Sequence, residues 1–370
     1  MAKAKTSIEN PTNIPELDAI LSSLSDTFGT DMSGHDYGDA VPFTTGSLNW
    51  DIALGIGGLP IGRVIEVFGD ESTLKTSFCL AFVAQKQLWR KSQGIHKKDL
   101  IVDLEHSLTR SFIEGFGIDY DEIIWVRPDS AEQALQLCID LPKSGKIDTV
   151  LFDSVDAGQN ERQLKRQIGD TDVGGISKEM NVTLRQITKI GSKTDTTYLF
   201  INQVKMNPGA GMFGNPRVTP GGKALAFYAT VRIELMKRKP CPDLPNATII
   251  RGKIRKTKVG PDYSEDIESA FIYGKGYDET YDLNELATGL GILRHSAGVS
   301  KVQWKADSEM EPIGEGVDKG KDAGIAYIRD NPDIRLRLRH ACLRAGGVRS
   351  ALTDDQVLAI IKEQKGKTTE

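Results

Sequence analysis

Residues 69 to 77 read GDESTLKTS, a loop opened by glycine and closed by a lysine and a hydroxyl residue. That arrangement suits phosphate. Backbone N–H groups of the loop and of the helix that follows bind phosphate oxygens, Lys75 adds charge at the β and γ phosphates, and Thr76 offers its hydroxyl to Mg2+. The phosphate-loop pattern G-x-x-x-x-G-K-[ST] carries a second glycine, and Leu74 stands in its place. Leu74 keeps its N–H, so no donor is lost. Glycine serves there through a positive φ or a close backbone approach, so leucine is expected to fit only if the position is helical and the side chain turns away from the phosphates. By itself the segment fits a nucleotide site and an ordinary strand-to-helix turn equally well.

Three other apolar runs end on residues suited to the same chemistry. DTVLFDS (148–154) ends with Asp153, placed to order a magnesium ion. DLIVDLE (99–105) ends with Glu105, a carboxylate able to orient and deprotonate an attacking water. TYLFINQ (197–203) ends with Asn202 and Gln203, amides able to sense the γ-phosphate. Any one of these fits a helix cap. Together they fall where open parallel sheets bind ligands, beyond the carboxyl ends of the strands, and this shifts the balance toward nucleotide.

Such residues meet only if a sheet brings the strand ends to one edge. RVIEVFG (63–69), EIIWVRP (122–128) and the three runs above are near-continuous in apolar residues, as strands buried on both faces of a parallel sheet are. Helical segments at 75–91 and 130–142 separate them, the second opened by Ser130 with Gln133 following. The fold class is α/β, layered around a mostly parallel central sheet. ATVRIELMKR, TIIRGKIRKTKV and ESAFIYG read as antiparallel strands extending it, with MKRKP (236–240) a solvated strand end. Upstream, Ile14, Leu17, Ile20, Leu21, Leu24 and Phe28 repeat at helical spacing between an Asn13/Glu16 capping pair and Gly29. The polar linker GTDMSGHDYGD isolates that helix, so its apolar face must pack on its own core or dock on a neighbouring copy. Segments around Glu285, 323–328 and 335–343 predict short helices of a small C-terminal α/β domain. The expected organisation is 1–38 for helix and linker, 39–280 for the core and 281–370 for the C-terminal domain.

With 39% apolar and 26% charged residues, the 370-residue chain suits a soluble globular protein of two or three domains. Its net charge of -4 gives no general attraction to polyanions, so any nucleic-acid binding must rest on local basic clusters. Cys79, Cys138, Cys241 and Cys342 are dispersed without C-x-x-C spacing, which argues against a disulfide framework and a zinc site. No apolar run approaches a membrane span and the N-terminus has no secretory signal, so a cytoplasmic location and no membrane partner are expected. VKMNPGAGMFGNPRVTPGGK (204–223) combines five glycines with Lys205, Arg217 and Lys223 and with apolar Met206, Met212 and Phe213. A mobile basic loop of this kind follows phosphates and wedges apolar side chains between bases. Its composition fits a plain surface loop equally well.

The order TTGSLNWDIALGIGGLPIGRVIEVFGDESTLKTS, DLEHSL, VLFDSV, LFINQVKMNPGAGMFGNPRVTPGGKALAFYATVRIEL, IYGKGY and ELATGLGIL resembles the RecA family of bacterial and phage homologous recombinases, over about residues 14 to 345. TGSLxxDIALGxGGLPxGR and MFGNPxxTxGGxALxFYAxVR belong to that family and not to P-loop proteins at large. The resemblance implies a RecA-like P-loop NTPase core in which Gly69, Asp70, Glu71, Ser72, Thr73, Leu74, Lys75 and Thr76 hold the triphosphate of ATP. Thr76 and Asp153 would hold Mg2+, Glu105 would be the catalytic base, and Gln203 the switch between the γ-phosphate and a DNA loop. Phe112 matches a position that packs on adenine and Tyr273 one near the nucleotide. Lys256 and Lys258 match lysines that reach the ATP of the neighbouring subunit, completing the site only in a filament. In the second DNA loop the resemblance implicates Lys205, Met212, Phe213, Gly214, Asn215, Arg217, Gly221 and Gly222. In the first, QLKRQIGDTDVGGISKEMNVTLR (163–185), it implicates Lys178 and Arg185 at phosphates and Val173 as an apolar wedge.

The implied function is a DNA-dependent ATPase of recombination and repair. It assembles as a helical filament on single-stranded DNA, pairs it with homologous double-stranded DNA and exchanges strands. Departures from the family pattern mark an outlying, phage-like member, expected in the cytoplasm of a bacterium or a phage-infected host. Leu74 replaces a glycine, as a bulky residue does in some phage strand-exchange proteins, and Asp70 replaces a proline. Thr109 stands where an acidic residue often lies near adenine, and the long acidic tail of cellular members is absent. Two alternatives remain: a non-hydrolysing filament accessory protein with a modified P-loop, and a hexameric helicase-type motor on the same core. Retention of Lys75, Thr76, Glu105, Asp153 and Gln203 argues against the first, and the two family-specific segments argue against the second.

Overall fold

The computed structural model describes residues 17, 19, 20, 40–158, 177–206, 217–241, 244, 246–296, 299–305, 308–314, 320–348, 353–359 and 361. By contact density the chain divides into Met1–Ala40 and Val41–Glu370. In the first unit residues 17, 19 and 20 are helical, with Leu17 and Ile20 exposed, and the rest of the predicted N-terminal helix lies outside the described residues.

The second unit is built on a nine-stranded sheet. Five strands match the predicted apolar runs: β1 (Val64–Gly69), β2 (Lys98–Asp103), β3 (Ile123–Val126), β4 (Ile147–Asp153) and β5 (Thr197–Gln203). They are followed by β6 (Val231–Pro240), β7 (Ala247–Thr257), β8 (Ile267–Ile272) and β9 (Gly276–Tyr277). The spatial order is β9-β8-β7-β6-β1-β5-β4-β2-β3, and every pair from β6 through β3 is parallel. β7, β8 and β9 add in antiparallel fashion. The antiparallel expectation for the later strands therefore fails for one pairing: β6 lies parallel to β1. The cause is the connection. Between β5 and β6 the chain returns through a helix, Gly222–Tyr228, so β6 begins at the same end of the sheet as β1.

Side-chain alternation explains why continuous apolar runs were needed. Ile65, Val67, Ile101, Leu151, Leu199 and Ile201 face one layer, while Val64, Leu100, Val102, Val150, Phe152, Tyr198 and Phe200 face the other. Numbered in chain order, the helices are α1 (Leu48–Ala53), α2 (Lys75–Ser92), α3 (Arg110–Gly115), α4 (Ala131–Asp140), α5 (Ser177–Thr194) and α6 (Gly222–Tyr228). The α2 residues Phe78, Phe82 and Val83 pack in the first layer, and α4 to α6 cover the second through Leu135, Leu184 and Leu225. Ser130 caps α4 as predicted, accepting from the Gln133 N–H, while the Gln133 side chain accepts from the Asp129 N–H.

Three more helices, α7 (Glu279–Gly289), α8 (Gly320–Asp330) and α9 (Pro332–Ala345), surround a small antiparallel sheet of Leu293–His295, Ser300–Val302 and Glu311–Pro312. Their apolar cluster includes Leu48 of α1, and Arg339 of α9 pairs with the buried Asp51 of α1 at 2.8 Å. The C-terminal elements thus share both core and charge with α1, at the start of the sheet-bearing unit. Among the described residues no helix is long and apolar enough to cross a membrane.

Candidate nucleotide site and its connection to the loop bases

β1 ends at Gly69, where a Cβ would stand 2.2 Å from the Leu235 carbonyl of β6, so only glycine fits. The chain then turns through 70–74 into α2. Asp70, Glu71 and Ser72 are exposed, Thr73 is buried and donates to the Asp70 carbonyl at 2.9 Å. Lys75 folds over the loop, its Nζ 3.2 Å from the Gly69 carbonyl and 2.8 Å from that of Asp70. Burial lowers its pKa, opposed by the carboxylates of Glu105, Asp153, Asp70 and Glu71. A phosphate would replace those carbonyls as the partner of the ammonium.

Leu74 departs from the sequence expectation. It is not right-handed: φ is 66° and ψ is 30°, the left-handed conformation glycine would adopt. Its half-buried side chain packs on the apolar cluster that holds Phe78, away from the loop face. Packing thus offsets a backbone strain of about 1–2 kcal/mol. The loop path survives the loss of the second glycine.

Facing α2, Asp153 at the end of β4 is 1% exposed and accepts from Thr76 Oγ1 at 2.8 Å. Burial pushes its carboxyl up to about 7, with Glu105 and Asp103 adding to the rise and Thr76 and Lys75 opposing it. With Asp103 paired to Arg127, the carboxylates of Asp153 and Glu105 against the Lys75 ammonium leave an oxygen-lined corner with the Thr76 hydroxyl, and these residues fit a hard divalent cation such as Mg2+. Glu105 is exposed, and its carboxylate accepts from Ser154 Oγ at 2.5 Å. Gln203 closes β5 directly beside Gly69, and the next N–H, that of Val204, donates to the Gly69 carbonyl at 3.3 Å. Asn202, grouped with Gln203 by sequence, points elsewhere: fully buried, it donates to Glu66 at 3.0 Å and to the Pro220 carbonyl at 2.9 Å. It is structural because its strand position alternates to the opposite face.

Phe112 is exposed on α3, edge-on to Phe116 at 5.4 Å. Thr109, at the position noted as a departure from the family pattern, caps α3 by accepting from the Phe112 N–H at 3.2 Å. Tyr273 is exposed beneath the Arg238 guanidinium, and its neighbour Gly274 approaches Gly115 at the end of α3. Lys256 and Lys258 lie far from this chain's own loop. Lys256 donates to the Ala226 and Phe227 carbonyls at 2.7 and 2.9 Å, and Lys258 to that of Phe227 at 3.3 Å. Burial, then Lys258 and Arg232, lowers the Lys256 pKa to about 8. The Lys258 N–H bonds Thr230, whose own N–H bonds Val64 at the start of β1. That is about 16 Å along the strand from Gly69 at ~3.3 Å per residue.

The two segments expected to meet DNA leave the sheet beside the phosphate loop, after β4 and β5. Lys205–Met206 and Arg217–Val218 pair as a short antiparallel ladder closing the base of the second. Lys205 forms an ion pair with Asp156 at the base of the first, and left-handed Gly221 lies against Val155. Gly222 opens α6. Arg185 is exposed on α5, whose Met180, Leu184 and Ile187 face the core. Of Lys178 and Arg217 only the backbone is described, and Val173, Met212, Phe213, Gly214 and Asn215 lie outside the described residues.

Residues 16–278 match the family described as RecA N-terminal domain. Protein RecA of Deinococcus radiodurans is 38% identical over 319 residues, covering 85% of this chain and 83% of that protein. Protein RecA of Thermus aquaticus is 34% identical over 332 residues, 89% of each chain. Protein RecA of Ruminococcus albus is 37% identical over 306 residues, 82% of this chain and 71% of the relative.

This chain belongs to the RecA family. RecA membership carries the DNA-dependent ATPase and recombinase activity expected from the sequence, and with it nucleotide binding, DNA binding and self-association. It favours that reading over the accessory-protein and ring-motor alternatives. Three residues not expected from the sequence lie along the segment that carries Glu105: Ser154 donates to its carboxylate, and Arg127 ties Asp103 to the Leu108 carbonyl. All three lie within the predicted strand runs 99–105, 122–128 and 148–154, but nothing in their spacing says which way they face.

Proposed function

We propose that this RecA-family chain binds ATP with Mg2+ in the 69–76 loop, assembles as a helical filament on single-stranded DNA, and exchanges strands with a homologous duplex. The observation that carries the reading is the β1–β5 register, which sets Gly69 of the phosphate loop beside Gln203 at the root of the second DNA loop. A change at the γ-phosphate is then felt at a DNA contact through one residue pair.

Loop N–H groups and the α2 N-terminus hold the phosphates, and Lys75 moves from the Gly69 and Asp70 carbonyls to the β and γ oxygens. Thr76 and Asp153 would hold Mg2+, which would supply charge neutralisation on the phosphate oxygens. Glu105 accepts a proton from the attacking water and orients it in line. Lys256 and Lys258, remote from their own chain's loop, serve the site of a neighbouring copy, so hydrolysis requires the filament. Lys178, Arg185, Lys205 and Arg217 meet DNA phosphates, while Val173, Met212 and Phe213 wedge between bases.

Phosphate release from ATP, measured with and without single-stranded DNA across protein concentration, tests this directly. DNA should stimulate release cooperatively, and Lys75→Ala should lower it by a factor of ~100 or more. DNA-stimulated hydrolysis undiminished in Lys75→Ala would remove the phosphate-loop assignment.

A further inference from the structure

One guanidinium grips both ends of the segment that carries Glu105. Arg127, just beyond β3, donates through Nε to Asp103 Oδ2 at 3.0 Å and through a terminal nitrogen to the Leu108 carbonyl at 2.7 Å. Its guanidinium carbon stands 4.7 Å from the centroid of the Trp125 ring, which fixes the plane of the fork. Asp103 is the last residue of β2 and fully buried, and its second oxygen accepts from the Ser107 N–H at 3.3 Å. Between these anchors the Leu104 and Glu105 N–H groups both donate to the Asp153 carbonyl, at 2.7 and 3.3 Å. Glu105 is itself exposed, so its carboxylate is held by the backbone beneath it and by Ser154 and not by packing.

We propose that Arg127 is a positioning residue for Glu105: by bridging Asp103 to Leu108 it holds the 104–107 turn closed, so that the carboxylate stays over the edge where Asp153 and Thr76 lie. The inference rests on Glu105 being the base. The argument is geometric. An exposed turn bearing a catalytic group samples many conformations, and a displacement of about 1 Å costs up to ~100-fold in rate. A lysine at 127 offers a single shorter-reaching nitrogen without a fixed plane, whereas the arginine fork presents separate nitrogens to the two anchors in one rigid geometry. Among the described residues the polar and ring partners of Arg127 are Asp103, Leu108 and Trp125, none of them in the phosphate loop, so nucleotide affinity should be independent of it.

The test is a cycle of Arg127→Gln, Glu105→Gln and the double variant in the full chain, with fold monitored by thermal melting. Each is assayed for DNA-stimulated ATP hydrolysis and for affinity toward a fluorescent ATP analogue. Arg127→Gln should slow hydrolysis by about tenfold or more with affinity unchanged within about twofold. Arg127→Lys should fall between it and the wild type. In the Glu105→Gln background the same substitution should cause no further fall, because the turn then has no base to place. Wild-type hydrolysis by Arg127→Gln, or an equal fall in both backgrounds, overturns the inference while leaving Glu105 as base. Wild-type hydrolysis by Glu105→Gln overturns the base reading and this inference with it. If Arg127→Gln does not fold, Asp103→Asn with Arg127→Gln, which leaves no unpaired buried carboxylate, takes its place under the same expectations.

Discussion

Leu74 keeps the backbone of a glycine, and the cost falls on one residue whose side chain is anchored in the core. The site can therefore depart from its sequence pattern without departing from its shape. A second residue under constraint is Asp282 of α7, fully buried with hydroxyl and N–H donors around it: Ser47 Oγ at 2.8 Å and the Ala270 N–H at 3.1 Å. Burial pushes its carboxyl up to about 7. An aspartate in the unfolded chain has a pKa of about 3.9, so between about pH 4 and 7 the folded state holds a proton that the unfolded state has released. Stability from this group is present at the acid end of that window and is lost as pH rises through about 7. Asp282→Asn removes the titration. Relative to wild type, the variant should gain roughly 3 kcal/mol between pH 4 and pH 7, read from urea unfolding at each pH. A stability difference that stays constant with pH would mean that Asp282 remains ionised.

At the scale of elements, α2 must hold its first turn against Asp153 while its far half is tied to the opposite end of the sheet. Lys86 and Arg90 of α2 meet Asp99 of β2 and Asp148 of β4, with contacts of 2.6 to 3.0 Å and all four side chains nearly inaccessible. Lys86 also sits against the Phe43 and Phe82 rings. The quartet is neutral, which makes it a register device: sliding α2 by a turn would break every pair. Asp148→Ala leaves Lys86 without its carboxylate and should cost about 3–5 kcal/mol in urea unfolding, where a buried partner is removed alone. A loss under about 1 kcal/mol would show that water reaches the cluster and that apolar packing by itself seats the helix. The arginines of α9 are likewise committed internally. Arg337 pairs with Asp354 and stacks on Trp304, and Arg339 pairs with Asp51 and Glu279. A basic-looking helix is in this case an interior fastener.

At the scale of the assembly, the phosphate loop and the lysine pair occupy opposite ends of one sheet. In the filament proposed above, a head-to-tail arrangement of copies would set the lysines of one beside the loop of the next, the heterologous kind of contact that builds a helix instead of a closed pair. Complementation follows. Lys75→Ala copies and copies carrying both Lys256→Ala and Lys258→Ala should each hydrolyse poorly alone. Mixed in equal amounts on single-stranded DNA, they should recover roughly a quarter of wild-type phosphate release, since random mixing pairs an intact loop with intact lysines at about one contact in four. No recovery on mixing would mean that the lysines act within their own chain or not at all.

Periodicity and residue type were enough to identify the parallel strands, α2, α4 and the residues at the strand ends, because an apolar run buried on two faces and a loop of phosphate donors each leave a local mark in sequence. Family-specific segments, also local, carried the function. What the sequence did not determine depends on which residues become neighbours. The parallel direction of β6 follows from a crossover, and the inward turn of Asn202 follows from which face its strand position takes. Leu74 reads as a broken motif until its left-handed backbone is seen. Arg127 is one charged residue after a strand until folding brings Asp103 and Leu108 to the two sides of its guanidinium. Hydrogen bonds between residues distant in sequence are made by topology, and only the tertiary structure decides them.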